Sequence, residues 1–485
     1  MSDLLTGFVL LSVVLTASAL LAGVVERAPL SFPMLFLGLG FLFGANGLDI
    51  IHVGIHDLAL EVVATATLAL VLFLDAVNLE FARERHEWLV PALSLGPGTF
   101  LIVLLVAGAA ILLLDVSPII AFLLGAILSS TDPVVLRDVV RDPRLPRSVR
   151  QALKIEAGTN DVIVLPLLLV LVAIANQDVG GATEWALFAV TLLIVGPATG
   201  FVVGAVGSGL MARADKRFGI RREYQALYGV GLVLGAYAAG VAVGGDGFLA
   251  AFAAGFAVTI LDRELCDCFL EFGEAAAEML MLIAFVMFGV VLSSALGVLE
   301  LSGALLFAVA AIFVIRPLAI GGVLSLRAAR LSRAAKGFIA WFGPRGLNSM
   351  LFALLIVIAG VPGSDLLFAA AGLVVIVSVV VHGVSATPLV NRYAKSVLAE
   401  TLAEEREATA TGLFASTPET IERVSVEELR AMLDSDDPPI VLDVRSRSQY
   451  DRDEGQIPAS IRLLPDEVGS WEPDEAARLV VPYCT

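Results

Sequence analysis

Cysteine, histidine and charge are all scarce in this chain of 485 residues. Three cysteines give no disulfide framework. Cys266 and Cys268 form a C-x-C that reads as part of a short polar loop, but no further ligand stands near it to complete a metal centre. The four histidines, at 52, 56, 86 and 382, leave little room for imidazole chemistry. Charged residues make up 16%, well short of the roughly one quarter of a soluble globule. No basic face exists to meet phosphates, which excludes nucleic acid as a partner.

Apolar residues fill the space that charge vacates. They make up 58% of the chain, and the mean hydropathy is +0.90. Apolar stretches recur from Leu4 to Leu389, each near the ~20 residues that cross a bilayer. Thirteen spans are read, at about 4–25, 29–48, 57–79, 88–114, 117–139, 150–174, 184–211, 223–244, 246–261, 272–298, 302–326, 335–359 and 364–389. The first is too long for a signal-peptide core, and only Asp3 is charged before it, so it reads as a retained span.

Arg27, Arg83, Arg137, Arg213, Arg263, Arg327 and Arg392 fall in alternate loops, and the opposite loops carry acids instead. The positive-inside rule then sets the N-terminus outside and the tail in the cytoplasm. The net charge of −17 is concentrated at the end: after residue 399 there are 20 acidic and 8 basic residues. The organisation expected is a membrane domain over 1–395, a polar linker over 396–420 and a small soluble α/β unit over 421–485.

Two spans are interrupted. Span 5 contains Thr131-Asp132-Pro133, and span 12 contains Gly343-Pro344-Arg345-Gly346. Proline removes a backbone donor and a charge opposes the bilayer, so both interruptions point to a site. If spans 1–6 and 8–13 are repeats joined by span 7, the second is inverted and spans 5 and 12 are partners. Broken helices at matching places in inverted repeats mark transporter binding sites.

Span 6 adds Glu156, Asn160 and Asp161. Glu156 and Asn160 share a helix face, whereas Asp161 lies about 140° around from Glu156. One carboxylate therefore suits an ion and the other a buried cation, for which Arg345 is the expected partner. Asp161, Asp132 and Thr131 form a hard, oxygen-rich set that suits Na+, K+ or Li+. A proton and a cation competing for one buried acid, with alternating access, suffice for exchange. Asn160 cannot carry a proton, which favours one proton per cation. His382 reads as hydrogen-bonded inside the bundle, Arg316 as an ion-pair member, and Gly200, Gly204 and Gly209 as allowing close helix contact. The competing transport reading is an anion carrier with Arg345 as the ligand group.

These motifs resemble the monovalent cation:proton antiporters of the NhaP type. "TDP", "EAGTND" and "GPRG" carry the resemblance, with "VLFLDAVNL" at 71–79, "GGDGFLAAFAAGFAV" at 244–258 and "IRPLA" at 315–319. The resemblance implies an all-α polytopic membrane fold with crossing helices 5 and 12, a six-helix core domain and a dimerisation domain, hence a homodimer. It implies a secondary transporter with no cofactor, whose partners are the cation, the proton and the bilayer. Asp161 would hold the ion, Thr131 and Asp132 would contribute from the crossing helix, Asn160 would order the site, and Glu156 with Arg345 would form a supporting pair. Ala157 stands where the family often has serine, and Asp75 stands where glutamate is expected one position earlier.

In the tail, "VSVEELRAML" reads as a helix capped by Ser425, and "IVLDV" reads as a strand. With Asp443, Arg445 and Cys484, the segment resembles part of a rhodanese-like domain, in which Gln456 replaces the usual histidine. That resemblance implies either a regulatory appendage or, as an alternative function, a membrane-tethered sulfur-transfer or redox-sensing unit.

Overall fold

The structure is a computed structural model. It describes residues 31–78, 88–177, 179–261, 263–326, 331–399, 424–435, 438–445, 447–452, 455–464, 467, 471 and 479–483, with positions 12, 16, 20 and 402. Span 1, at 4–25, is described only at positions 12, 16 and 20, and the linker from residue 403 lies outside the described residues.

The membrane part is helical throughout. In chain order the helices are α1 (Phe32–Phe43), α2 (Leu58–Val77), α3 (Leu89–Leu114), α4 (Pro118–Ile127), α5 (Pro133–Arg141), α6 (Arg147–Asn176) and α7 (Ala182–Phe218). They continue with α8 (Arg222–Ala242), α9 (Gly247–Leu261), α10 (Arg263–Ala295), α11 (Leu301–Leu324), α12 (Arg333–Trp341), α13 (Leu347–Ile358) and α14 (Ser364–Ala399). By length and composition, eight of the described helices can cross a membrane, and four more are shorter and apolar. The side chains that crowd between them are almost all apolar. α10 begins at Arg263 and takes in Cys266 and Cys268, so these are not loop residues.

Pro166 and Pro388 stand inside α6 and α14 without ending them, but other prolines have two further consequences. α3, α7 and α11 each run through a π turn: Ser94–Gly98, which contains Pro97, Thr191–Val195 just before Pro197, and Ala310–Ile315 just before Pro317. A wider turn makes room for the ring and absorbs the missing N–H. Two other prolines end helices outright. α4 stops at Ile127 and α5 starts at Pro133; α12 stops at Trp341 and α13 starts at Leu347. The difference lies in the neighbours. Ser129, Ser130, Thr131 and Asp132 precede Pro133, and such side chains compete for backbone hydrogen bonds. Gly343 and Gly346 flank Pro344-Arg345 and allow close approach.

Helix contacts use small residues. Cβ atoms at Gly200 or Gly204 of α7 would strike the α9 backbone at Ala250 or Ala254. Gly209 meets only the Arg213 side chain, so it does not serve such a contact.

The described tail is a small α/β unit. α15 (Val426–Leu433) opens with a capping box between Ser425 and Glu428. Strands β1 (Ile440–Asp443), β2 (Ile461–Arg462) and β3 (Val480–Tyr483) form a parallel sheet in the order β2-β1-β3. Leu442 and Val444 pack with Ile440, Leu463, Trp471 and Val480. Helix α16 (Arg447–Arg452) packs against α14. Arg447 donates to the carbonyls of Pro143 and Leu145, at 3.3 and 3.4 Å, in the turn between α5 and α6.

Candidate functional site at the crossing of two broken helices

The two breaks meet inside the protein. The Asp132 N–H donates to the Pro344 carbonyl at 2.9 Å. Ser129, Ser130, Thr131, Asp132 and Arg345 are all buried. Non-helical backbone at membrane depth is tolerated only where protein or a water-filled cavity encloses it, and every open donor and acceptor needs a partner.

Charged side chains supply those partners. Asp132 caps its own helix by accepting from Val134 N–H at 2.8 Å. Its other oxygen accepts from Leu347 N–H, the first residue of α13, at 2.6 Å. One carboxylate therefore sits at the positive ends of two helices. Gly346 is required beside it, because a Cβ there would overlap the Asp132 carboxylate. Arg345 performs the opposite service. It donates to the Ser129 carbonyl at 3.1 Å, the Ser130 carbonyl at 2.5 Å and the Thr131 hydroxyl at 3.2 Å. These carbonyls follow the end of α4. Ser349 completes that end by donating to the Ile127 carbonyl at 3.2 Å.

The expected pair of Glu156 and Arg345 does not form. Glu156 pairs with Arg316 at 2.7 Å, and both are nearly fully buried. Arg316 also donates to the Phe342 carbonyl at 2.7 Å, and Gly343 leaves room for its guanidinium. Arg345 has the carbonyls of the other break instead, so it needs no carboxylate. All three of these contacts are made by its Nη1. Thr131 departs from its expected role in a related way. Its oxygen accepts from Arg345 and faces an Arg316 nitrogen at 3.5 Å. An oxygen held by two guanidinium groups is a poor ligand for a metal cation.

Asp161 has only neutral hydrogen-bonding partners among the described residues. On α6 it is 1% exposed. Its oxygens accept from the Ser130 hydroxyl at 2.5 Å and from the Asn348 side-chain amide. Ser130 comes from the first break, and Asn348 from the first turn of α13, just after the second. Asn160, beside it, donates to the Ser129 carbonyl at 2.9 Å and so ties α6 to the first break. Asp75 on α2 lies within electrostatic reach of Asp161 and Asp132, and its Oδ2 is buried without a hydrogen-bond partner among the described residues. Ala157 is buried on α6 and brings no hydroxyl.

The structure thus brings Asp161, Asn160, Asp132, Thr131 and Asp75 to one region with Pro133, Gly343, Pro344 and Gly346. It adds Ser130 and Asn348, to which the sequence alone assigns no role. Both are visible as polar residues beside the breaks, in "SSTDP" and "GPRGLNS". What this arrangement can do chemically follows from its donors. Asp161, Asp75, Ser130 and the Asn348 amide oxygen are hard oxygen groups of the kind that alkali ions prefer.

Elsewhere, His382 is buried, with Nδ1 2.9 Å from the Ser378 carbonyl and Nε2 3.2 Å from the Trp341 carbonyl. In the tail, Asp443 and Arg445 form a buried ion pair at 2.6 Å, and Arg445 also donates to the Gly455 carbonyl at 2.8 Å. Gln456 sits 3.5 Å from Asp443. Cys484 lies outside the described residues.

Comparisons with known proteins bear on the family and the fold. A family model described as "Sodium/hydrogen exchanger, transmembrane" matches residues 13–392. The K(+)/H(+) antiporter NhaP of Alkalimonas amylolytica is 30% identical over 361 residues, which cover 73% of this chain and 61% of that protein. The chain thus spans less than two thirds of that relative's length. The K(+)/H(+) antiporter NhaP2 of Shewanella sp. (strain ANA-3) is 29% identical over 394 residues, covering 80% of this chain and 67% of that protein. In fold, the chain is similar to the sodium proton antiporter MjNhaP1 from Methanocaldococcus jannaschii, with TM-score 0.65 and 22% identity, covering 81% of this chain and all of that one. The chain belongs to the sodium/hydrogen exchanger family, whose members are secondary transporters rather than enzymes.

Proposed function

We propose that this chain exchanges a monovalent cation, Na+ or K+, for H+ across the cytoplasmic membrane, and that both bind in turn to Asp161. The observation that carries the reading is the setting of that carboxylate: fully buried, between two helix breaks, with a hydroxyl and an amide as its partners. No fixed cation pairs with it among the described residues, so its charge is left for a mobile one. Two neighbouring buried acids have fixed duties, since Glu156 holds Arg316 and Asp132 holds two helix ends, whereas the Oδ2 of Asp75 has no hydrogen-bond partner among the described residues.

Alternating access then needs only that the crossing open to one side at a time. A proton neutralises Asp161 in one half of the cycle and a cation does so in the other. Ser130 and Asn348 can turn an oxygen toward the cation, and water completes the shell in place of the serine that Ala157 lacks. With a single exchanging acid, one proton moves per cation and no net charge crosses. Relatives named as K(+)/H(+) antiporters support K+ beside Na+ as substrate. The tail, on this reading, is a regulatory appendage of rhodanese-like type on the cytoplasmic side.

Proteoliposomes with a trapped pH dye test the proposal. Imposed proton gradients should dissipate on adding Na+ or K+ and persist on adding choline. Dissipation that follows the anion instead would contradict it.

A further inference from the structure

A short helix ties the crossing to the protein surface. α5 starts at Pro133, directly after Asp132 of the first break, and ends at Arg141. Arg137 and Arg141 are four apart on it and share a face. By the helical rise they stand about 7.5 and about 13.5 Å along the axis from Asp132. The turn that follows α5 receives Arg447 of the tail, so both arginines lie toward the tail side of the membrane part.

Two glutamates of α10 meet them. Arg137 pairs with Glu278 at 3.1 Å, and Arg141 lies 3.9 Å from Glu274. Glu274 and Glu278 are also four apart, so the pairs form two rungs between antiparallel segments. The outer side chains, Arg141 and Glu274, are 66% and 43% exposed, and the inner ones, Arg137 and Glu278, are 32% and 37% exposed. One turn deeper on the same face of α10, Met281 is buried. Access thus falls from the outer rung to the inner rung to Met281.

The two helices belong to different packing groups. α5 packs against α6 and α14, whereas α10 packs chiefly against α1, α2 and α8. α6 carries Asp161, and α2 carries Asp75, which lies within electrostatic reach of it. The boundary between the groups therefore passes the candidate site, and the two rungs bridge that boundary on the tail side.

We propose that the Arg137–Glu278 and Arg141–Glu274 pairs are a latch that holds this boundary shut on the tail side and parts when the site opens there. Their strength suits that duty. A part-exposed ion pair contributes little net stability, because water receives each partner when it lets go. A contact that parts in every cycle must be of this kind. The buried Glu156–Arg316 pair is not, since separating it would strand two charges away from water. The part the latch plays in transport rests on the exchange reading, whereas its opening does not.

Thiol labelling of the full chain in nanodiscs tests the latch. Cys266, Cys268 and Cys484 are replaced by serine, and Met281→Cys reports access just below the inner rung. A charged maleimide should label that thiol slowly. Arg137→Glu sets like charges against each other and should speed labelling about threefold, the scale of a part-exposed ion pair. R137E/E278R restores the attraction and should return the slow rate. Glu278→Gln removes the pair without repulsion and should shift labelling the same way as Arg137→Glu, which covers poor folding of that variant. In vesicles of the two orientations, Arg137→Glu should also lower the half-saturating Na+ or K+ concentration on the tail side by a similar factor, because more of the protein is open there. A pair with only a structural role would lower the melting temperature without that one-sided shift. Unchanged labelling in Arg137→Glu and Glu278→Gln at an unaltered melting temperature would overturn the proposal, as would faster labelling that R137E/E278R fails to reverse. If labelling follows the pair while the unaltered chain exchanges no cation for protons, the latch stands and the exchange reading falls.

Discussion

Asp132 and Arg345 each serve the helix end that the other's segment leaves open. Asp132, from the first break, accepts from Leu347 N–H at the start of α13; Arg345, from the second, donates to the carbonyls of Ser129 and Ser130 that follow α4. The crossing is held by this exchange of opposite charges at opposite helix ends. Each buried group left without its partner costs about 1–3 kcal/mol.

Asp132→Asn should therefore act on stability more than on ion binding. The amide keeps one acceptor oxygen but sets an NH2 group against a second backbone N–H. A loss of about 1–3 kcal/mol is expected, read as a lower melting temperature in detergent. The half-saturating cation concentration of the folded fraction should stay near that of the unaltered protein. Loss of cation affinity with unchanged stability would make Asp132 a ligand instead.

Glu156 and Arg316 form the buried ion pair, and removing one partner strands the other. Arg316→Met should cost roughly 3–5 kcal/mol, and pairing it with Glu156→Gln should restore part of that loss. Thermal unfolding of the two single variants and the double variant measures the coupling. Additive losses would show that the pair carries no interaction of its own.

These two relationships also mark how far the sequence is legible. The breaks are, because aspartate, proline and glycine inside an apolar run interrupt a helix at a cost that a plain lipid-facing span does not bear. The partner of Glu156 is not. Arg316 and Arg345 both lie in the membrane part, and nothing local says which one approaches α6. Arg345 is the natural expectation, since an unpaired arginine in a break is costly, but the carbonyls of the facing break meet that cost. Ser130 and Asn348 are hidden for a different reason. Small polar side chains are common at helix ends, so only the meeting of three helices at Asp161 gives them a role. The polar stretch around Cys266 and Cys268 resembles a loop in composition and conceals the start of α10.

Asp75 decides whether exchange moves charge. Its Oδ2 is buried without a hydrogen-bond partner among the described residues, close enough to feel Asp161. With Asp161 alone exchanging, transport should leave a membrane-potential dye unmoved, and Asp75→Asn should lower cation affinity while leaving that neutrality intact. A potential in the unaltered protein that disappears in Asp75→Asn would show two protons per cation.

The tail has its own pH dependence. Burial alone would push the Asp443 carboxyl up, but hydrogen bonds from Arg445 outweigh it and hold the group at about 2. The unfolded value is near 3.9, so the folded state favours the ionised form. That stabilisation is complete above about pH 4 and declines as pH falls toward 2. Pulse proteolysis of the tail in the full chain should show protection falling across that window. Arg445→Met should lower protection at neutral pH and flatten the acid-side decline.

The most direct test of exchange at a single buried acid is Asp161→Asn in proteoliposomes. The variant keeps size and an acceptor oxygen but cannot alternate between proton and cation. The account predicts a folded, inserted protein with no dissipation of a proton gradient by Na+ or K+ at any pH. Cation-dependent dissipation at the rate of the unaltered protein would contradict it.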